Sequence, residues 1–170
     1  MASIPLDEEI LAGNPYHVLL FTTPLPFPLS LVATHPWLVT IVNGEYKRWE
    51  VWQKPRRCET SWGHVHLNLF KPWQGMRKFY FFTARRSVGK LRAVQSGGEG
   101  SLAHQMSQFI ERESASYPAA HRYFFLRGPN SNTYVQWVIN HFPESGFRLP
   151  LTGVGKKHRI ELRPVRRGLV

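Results

Sequence analysis

Between Tyr16 and Thr22 the chain runs Tyr-His-Val-Leu-Leu-Phe-Thr, an apolar stretch rich in aromatic and β-branched residues. That pattern predicts a strand, ended by the prolines at 24, 26 and 28. Further on, Trp37–Val42 and Glu45–Gln53 flank Asn43-Gly44. This pair favours a two-residue type I′ hairpin, because both loop positions need positive φ. With those two residues as the loop, Val42 faces Glu45, Trp37 faces Glu50 and His35 faces Trp52. One face of the hairpin then carries His35, Trp37, Val39 and Ile41 beside Tyr46, Arg48, Glu50 and Trp52. Glu50 becomes the diagonal neighbour of His35, roughly 7–8 Å away along the backbone and within reach of its side chain.

His64–Phe70 alternates His64, His66, Asn68 and Phe70 against Val65, Leu67 and Leu69, which predicts a strand after a polar connection over 54–63. Lys78–Thr83 predicts a buried strand, followed by a basic linker through Arg92 and a Gly/Ser break at Ser96–Gly100. From Ser101 the period changes. Leu102, Met106, Phe109 and Ile110 recur at helical spacing, and Tyr117-Pro118 ends the stripe. Tyr123–Leu126 reads as a short aromatic strand leading to Gly128-Pro129. A second helix is expected from Asn132 to His141, with Tyr134, Trp137, Val138 and His141 close to one face and Pro143 as its stop. His158–Leu162 adds an expected edge strand. Together these elements predict one α+β domain over 16–162, an antiparallel sheet with two packed helices. A loose segment over 1–15 and a basic tail over 163–170 flank it.

Composition narrows the class. A chain of 170 residues with 42% hydrophobic and 14% aromatic content can bury a core in a single domain. Residues 1–14 are acidic and lack the basic start and apolar centre of a secretory signal. No window offers the ~18 uncharged apolar residues of a membrane helix. The single cysteine, Cys58, forbids an internal disulfide, so a reducing, cytoplasmic setting is the default expectation. A formal charge of +11 favours anionic partners: nucleic acid, anionic lipid or an acidic protein. The basic residues are scattered in small groups that fit a solvated surface equally well, and no stacking motif accompanies them.

Candidate chemistry gathers at Gly128-Pro129-Asn130-Ser131-Asn132-Thr133-Tyr134, where a turn hands over to a helix. Ser131 has two readings. As a helix N-cap it would add about 0.5–2 kcal/mol, and Tyr134 stands where the Glu or Gln of a capping box would be. As a nucleophile it would sit at the positive end of the helix and need His35 as base, with Glu50 holding the imidazole. Asn130, Asn132, Trp37 and Tyr134 are the candidate ligand contacts. His64 and His66 share a strand face and Cys58 lies upstream, but two histidines without a third ligand make a weak metal site, and no metal or other cofactor is expected. Gly155-Lys156 is no phosphate loop: Pro150 replaces the leading glycine and Lys157 the magnesium-binding hydroxyl.

The Gly-Pro-Asn-Ser-Asn-Thr box, with His35-Pro36-Trp37, Arg48-Trp49-Glu50-Val51, Leu149-Pro150 and Gly153-Val154-Gly155-Lys156, resembles an uncharacterised bacterial domain family over roughly residues 16–158. A more distant likeness carries chemistry. Permuted papain-like proteins, such as the lecithin retinol acyltransferase group and permuted relatives of NlpC-type peptidases, have a histidine on an early strand and an Asn-Cys-Glu-His-Phe-Val box at a later helix start. Asn130-Ser131-Asn132-Thr133-Tyr134-Val135 is similar in layout. The resemblance implies a permuted papain-like fold with Ser131 in the nucleophile's place, His35 in the base's and Glu50 in the orienter's. Serine replaces the thiol. Two expectations follow: a hydrolase or acyltransferase acting on an amide or ester, or a catalytically silent module binding a small-molecule, peptide, anionic or lipid-like ligand. Nucleic-acid binding ranks third.

Overall fold

A computed structural model describes residues 13–80 and 83–161, without the side chains of 77–80 and 83–86. The strands are β1 (Tyr16–Pro24), β2 (Thr34–Val42), β3 (Glu45–Val51), β4 (Ser61–Trp62), β5 (Val65–Leu67), β6 (Gln74–Tyr80), β7 (Thr83–Val88) and β8 (Lys90–Gly97). Two α-helices follow, α1 (Leu102–Glu113) and α2 (Ser131–His141). Six strands form one sheet in the order β4-β5-β3-β2-β1-β8, with every neighbouring pair antiparallel. β6 and β7 make a separate two-stranded hairpin. The fold is thus α+β, as its pattern of elements predicts.

β1 lies inside the sheet and is apolar on both faces because both faces are covered. Val18 and Leu20 join Leu38, Trp49, Val51 and the residues of α1 and α2 in the larger core. Leu19 and Phe21 join Trp37, Val39 and Ile41 in a second core on the opposite face, with Trp73 packed against it. The segment around β6 and β7 closes that second face. Trp37 Nε1 donates to Pro72 O at 2.7 Å, and Gly89 N donates to Trp73 O. A Cβ at Gly89 would run into the Trp37 ring, so the bend from β7 into β8 requires glycine there.

The Asn43-Gly44 turn forms as expected, with φ of 50° and 82°. Val42 pairs with Glu45 and Leu38 with Trp49, the register derived from the turn alone. Other expectations need correction. The strand expected over His64–Phe70 shrinks to Val65–Leu67, because Asn68 adopts φ of 57° and turns its side chain to accept from Arg48 N at 2.7 Å. The basic linker expected through Arg92 is instead most of β7 and the start of β8: backbone pairing is indifferent to the charges, and Leu91 and Val94 of β8 pack on the second core. Tyr123–Leu126 is no strand, since Phe124 bonds through its backbone to Pro129 and Gly128 in a closed turn. Residues 158–161 are also not a strand, and Leu162 lies outside the described residues. So do Phe81 and Phe82, the side-chain burial expected of Lys78–Thr83, residues 1–12 of the loose segment and the 163–170 tail. Helix α1 starts at its Ser101 cap as expected but ends early, continuing as a 3-10 turn over Ser114–Ser116. Among the described residues, no helix is long and apolar enough to cross a membrane.

Candidate functional site

Two polar clusters and one cavity lie at the end of the sheet where β2 begins and β3 ends. The hairpin register places His35, Arg48 and Glu50 on the face of Trp37, away from the α-helices. All three are buried. Glu50 Oε2 accepts from His35 Nε2 at 2.9 Å and from Arg48 Nη2 at 2.8 Å. The Arg48 guanidinium lies 4.1 Å over the Trp37 ring, and its Nη1 donates to the carbonyls of Lys71 and Gln74. Burial pushes the Glu50 carboxyl up, but the Arg48 charge and the His35 hydrogen bond outweigh it and hold it below the usual range. Burial likewise lowers Arg48, opposed by Glu50. An ionised Glu50 can only accept, so His35 Nε2 carries the proton of the hydrogen bond between them.

The second cluster starts α2. Asn130, not Ser131, is the N-cap: its Oδ1 accepts from Asn132 N at 3.0 Å and Thr133 N at 3.3 Å. A capping box does form, closed by Thr133, whose Oγ1 accepts from Asn130 N at 3.1 Å. The expectation built on Tyr134 counted from the wrong cap. Asn130 also bonds outward through Nδ2, to Phe125 O at 2.8 Å and Val154 O at 3.0 Å. Thr133 Oγ1 donates to Gly155 O at 2.9 Å. Gly155 sits at φ of 91°, and a Cβ there would run into the Asn130 amide, which gives the Gly-Val-Gly-Lys stretch a packing reason. Lys156 Nζ donates to Pro150 O at 2.7 Å and so ties its own loop together.

A cavity of ≈ 240 Å³ opens between the clusters. Leu25, Trp52, Met76, Phe125 and Val154 supply apolar wall, and His35, Asn130, Ser131 and Asn132 supply polar groups. Asn132 Nδ2 donates to Thr34 O at 3.0 Å, while its buried Oδ1 lies against Gly153 with no hydrogen-bond partner among the described residues. Ser131 and His35 reach the cavity from opposite faces of the sheet, and no hydrogen bond joins them. Trp37 and Tyr134, expected as ligand contacts, line no part of it. Trp37 is fully enclosed beneath Arg48, and the Tyr134 hydroxyl bonds Ser114 Oγ at 2.6 Å inside the larger core.

The histidines weighed as metal ligands are engaged elsewhere. His64 Nδ1 bonds Trp52 O at 2.9 Å, and His66 bonds Ser61 Oγ at 2.7 Å and Lys54 O at 3.1 Å. Burial lowers the pKa of His66. Among the described residues no three His, Cys, Asp or Glu side chains gather as a metal site.

Arg48 is the residue to which the sequence pattern alone assigned no role. Its signal was present: the derived register puts it beside Glu50 and opposite Val39 on the face that carries Trp37. The boxes around Trp37, Arg48–Val51 and Gly128–Tyr134 all fall within residues 17–158, the span matched by a family model described as Protein of unknown function (DUF3750). The chain belongs to this family. No curated protein and no solved structure matches it. The family span therefore runs from the second residue of β1 to the loop packed on Asn130, and so contains both clusters and the cavity.

Proposed function

We propose that the chain binds a small, largely apolar molecule ending in an amide or another group that both donates and accepts a hydrogen bond. The apolar-walled cavity lined by Ser131 and by Asn132, whose buried Oδ1 lies against Gly153 without a donor among the described residues, carries this reading. A buried carbonyl oxygen without a donor costs about 1–3 kcal/mol, which a ligand N–H or O–H would recover. The Ser131 hydroxyl beside it can donate to a carbonyl oxygen, and the start of α2 favours partial negative charge on that oxygen. A carboxylate would satisfy Ser131 but place like partial charges against Asn132 Oδ1. Thermal denaturation with medium-chain fatty amides beside the corresponding fatty acids tests this. The amides are expected to raise the midpoint more than the acids and to lose that advantage in Asn132→Ala. Equal shifts, or none, would sink the reading.

A second reading, hydrolysis or acyl transfer at such an amide or an ester, has its own support. Glu50 holds His35 by Nε2, which leaves Nδ1 free, and His35 and Ser131 line one cavity. Their positions in the chain are those the permuted papain-like resemblance implies for a base and a nucleophile. Catalysis would require the His35 ring to swing towards Ser131 on substrate binding, since proton transfer needs ~2.6–3.2 Å between heavy atoms. Labelling by a fluorophosphonate probe that disappears in both Ser131→Ala and His35→Ala would establish an activated serine. Absence of labelling in the folded native protein leaves the binding reading alone.

A further inference from the structure

The cavity opens among three loops: residues 25–33 between β1 and β2, residues 121–130 before α2, and residues 147–160 after it. Leu25, Phe125 and Val154 bring one wall residue from each. Backbone and side-chain bonds hold the three loops together, Thr34 N to Thr152 O at 3.1 Å and Asn130 Nδ2 to Val154 O at 3.0 Å. Of the eight large apolar side chains exposed among the described residues, seven stand on these loops, and the eighth is Val88. Phe27 is 82% exposed, Leu31 75%, Leu126 70% and Leu151 96%. Apolar exposure so concentrated marks an interaction surface.

Charge says what kind of surface. Two of these loops carry Arg122, Arg127, Arg148, Lys157 and Arg159, all exposed, while 25–33 is uncharged; the acids nearest in the chain are exposed Glu144 and Glu161, just outside the last loop. A protein partner of ordinary composition would meet an apolar patch with few charges at its centre. Here exposed basic residues share two of the loops with exposed apolar ones, and the third loop, 25–33, is apolar and uncharged. Such a rim fits a fluid, anionic surface into which single side chains can sink while cations stay at the headgroups.

We propose that this rim docks the chain on the surface of an anionic lipid bilayer. Phe27, Leu31, Leu126 and Leu151 enter the interface, and the arginines and lysine meet the lipid phosphates and carboxylates. The attachment is peripheral, and the mouth of the cavity then faces the lipid. This inference goes beyond the ligand reading and does not depend on it, since the rim stands on exposure and charge alone.

Cosedimentation of the full chain with vesicles of phosphatidylserine and phosphatidylcholine, beside vesicles of phosphatidylcholine alone, tests it. Binding is expected to the anionic vesicles and to weaken as salt is added. Leu126→Ser with Leu151→Ser should lower the partition about tenfold or more. Arg127→Gln with Arg159→Gln should lower it about fivefold for each charge removed. All four positions are exposed, so unchanged thermal midpoints will show that the variants are folded. No binding to anionic vesicles overturns the proposal, and so does equal binding to neutral ones. Binding that the leucine variants leave intact overturns it too, because attachment would then rest on charge alone, as it would for a nucleic acid. A ligand that still shifts the midpoint of a chain unable to bind vesicles would leave the cavity reading standing while this one fell.

Discussion

The polar clusters on the two faces of the sheet solve the same problem in different ways. On the hairpin-covered face, His35, Glu50 and Arg48 bury opposite charges against one another and against backbone carbonyls. At the start of α2, Asn130 and Thr133 bury neutral groups and direct them into the helix start and the neighbouring loops. The charged cluster is self-sufficient in charge, and its cost on disruption is high because a lone buried ion remains. The neutral cluster uses Asn130, Thr133 and the Asn132 amide for architecture and leaves the Ser131 hydroxyl without a hydrogen bond among the described residues. Within one box, Asn130 and Thr133 hold the helix start and Asn132 ties it to β2, while the proposed ligand contact of Ser131 draws on the one side chain among these four with no such bond.

Breaking the charged cluster should have the largest effect. Glu50→Ala leaves Arg48 without its counter-ion and is expected to cost about 3–5 kcal/mol in urea denaturation. Replacing both residues, Arg48→Met with Glu50→Leu, should recover most of that loss. A Glu50→Ala penalty below about 1 kcal/mol would mean that water or rearrangement relieves the charge, and the contrast between the clusters would fail.

The neutral cluster should respond less. Asn130→Ala removes the cap and the bonds to Phe125 and Val154, an expected loss of about 2–3 kcal/mol. Asn130→Ser keeps a capping oxygen and should recover about 1 kcal/mol of it. If serine does no better than alanine, the outward amide bonds matter more than the cap.

Acid separates the clusters without mutation. His66 holds its proton less well folded than unfolded, so the unfolded chain gains protons first as pH falls below 6.5 and stability declines. Glu50, also held below its ordinary 4.5, adds a second loss as pH drops further through its folded value. Stability measured against pH should show both losses on the acid side. His66→Gln should flatten the upper one and leave the lower. The start of α2 carries no acid and adds neither step.

Ser131→Ala should have the smallest effect on stability, within about 0.5 kcal/mol, because Asn130 is the cap and the Ser131 hydroxyl makes no hydrogen bond among the described residues. Its consequence belongs to the ligand. A destabilisation larger than that of Asn130→Ala would show that Ser131 is structural and remove it from the site.

Local chemistry made part of this legible. Asn43-Gly44 allows one turn geometry, and that turn dictates a register in which Glu50 reaches His35, so a contact fifteen residues apart followed from two loop residues. The helix stripe from Leu102 to Ile110 and its Ser101 cap were equally local. β7 and β8 were not, because their charged residues pair through backbone groups whose partners lie on other strands. The cap of α2 was misread by one residue, since Asn130 and Ser131 are both good caps in isolation. The loops of Phe125, Val154 and Gly155 decide between them by accepting bonds from Asn130 and Thr133.

The sequence by itself determined what nearest neighbours determine: the hairpin and its facing pairs, the period of each helix, and the candidates His35, Glu50 and Ser131. Tertiary structure alone decided which face each of them serves. Side chains on a strand alternate, so the register that joined His35 to Glu50 also turned both away from α2, and only the packing of the helices on the Leu38–Trp49 face made that a separation from Ser131. The cavity, and the exposed apolar residues on the loops that line it, arise where segments distant in the chain meet, and no local pattern encodes such a meeting.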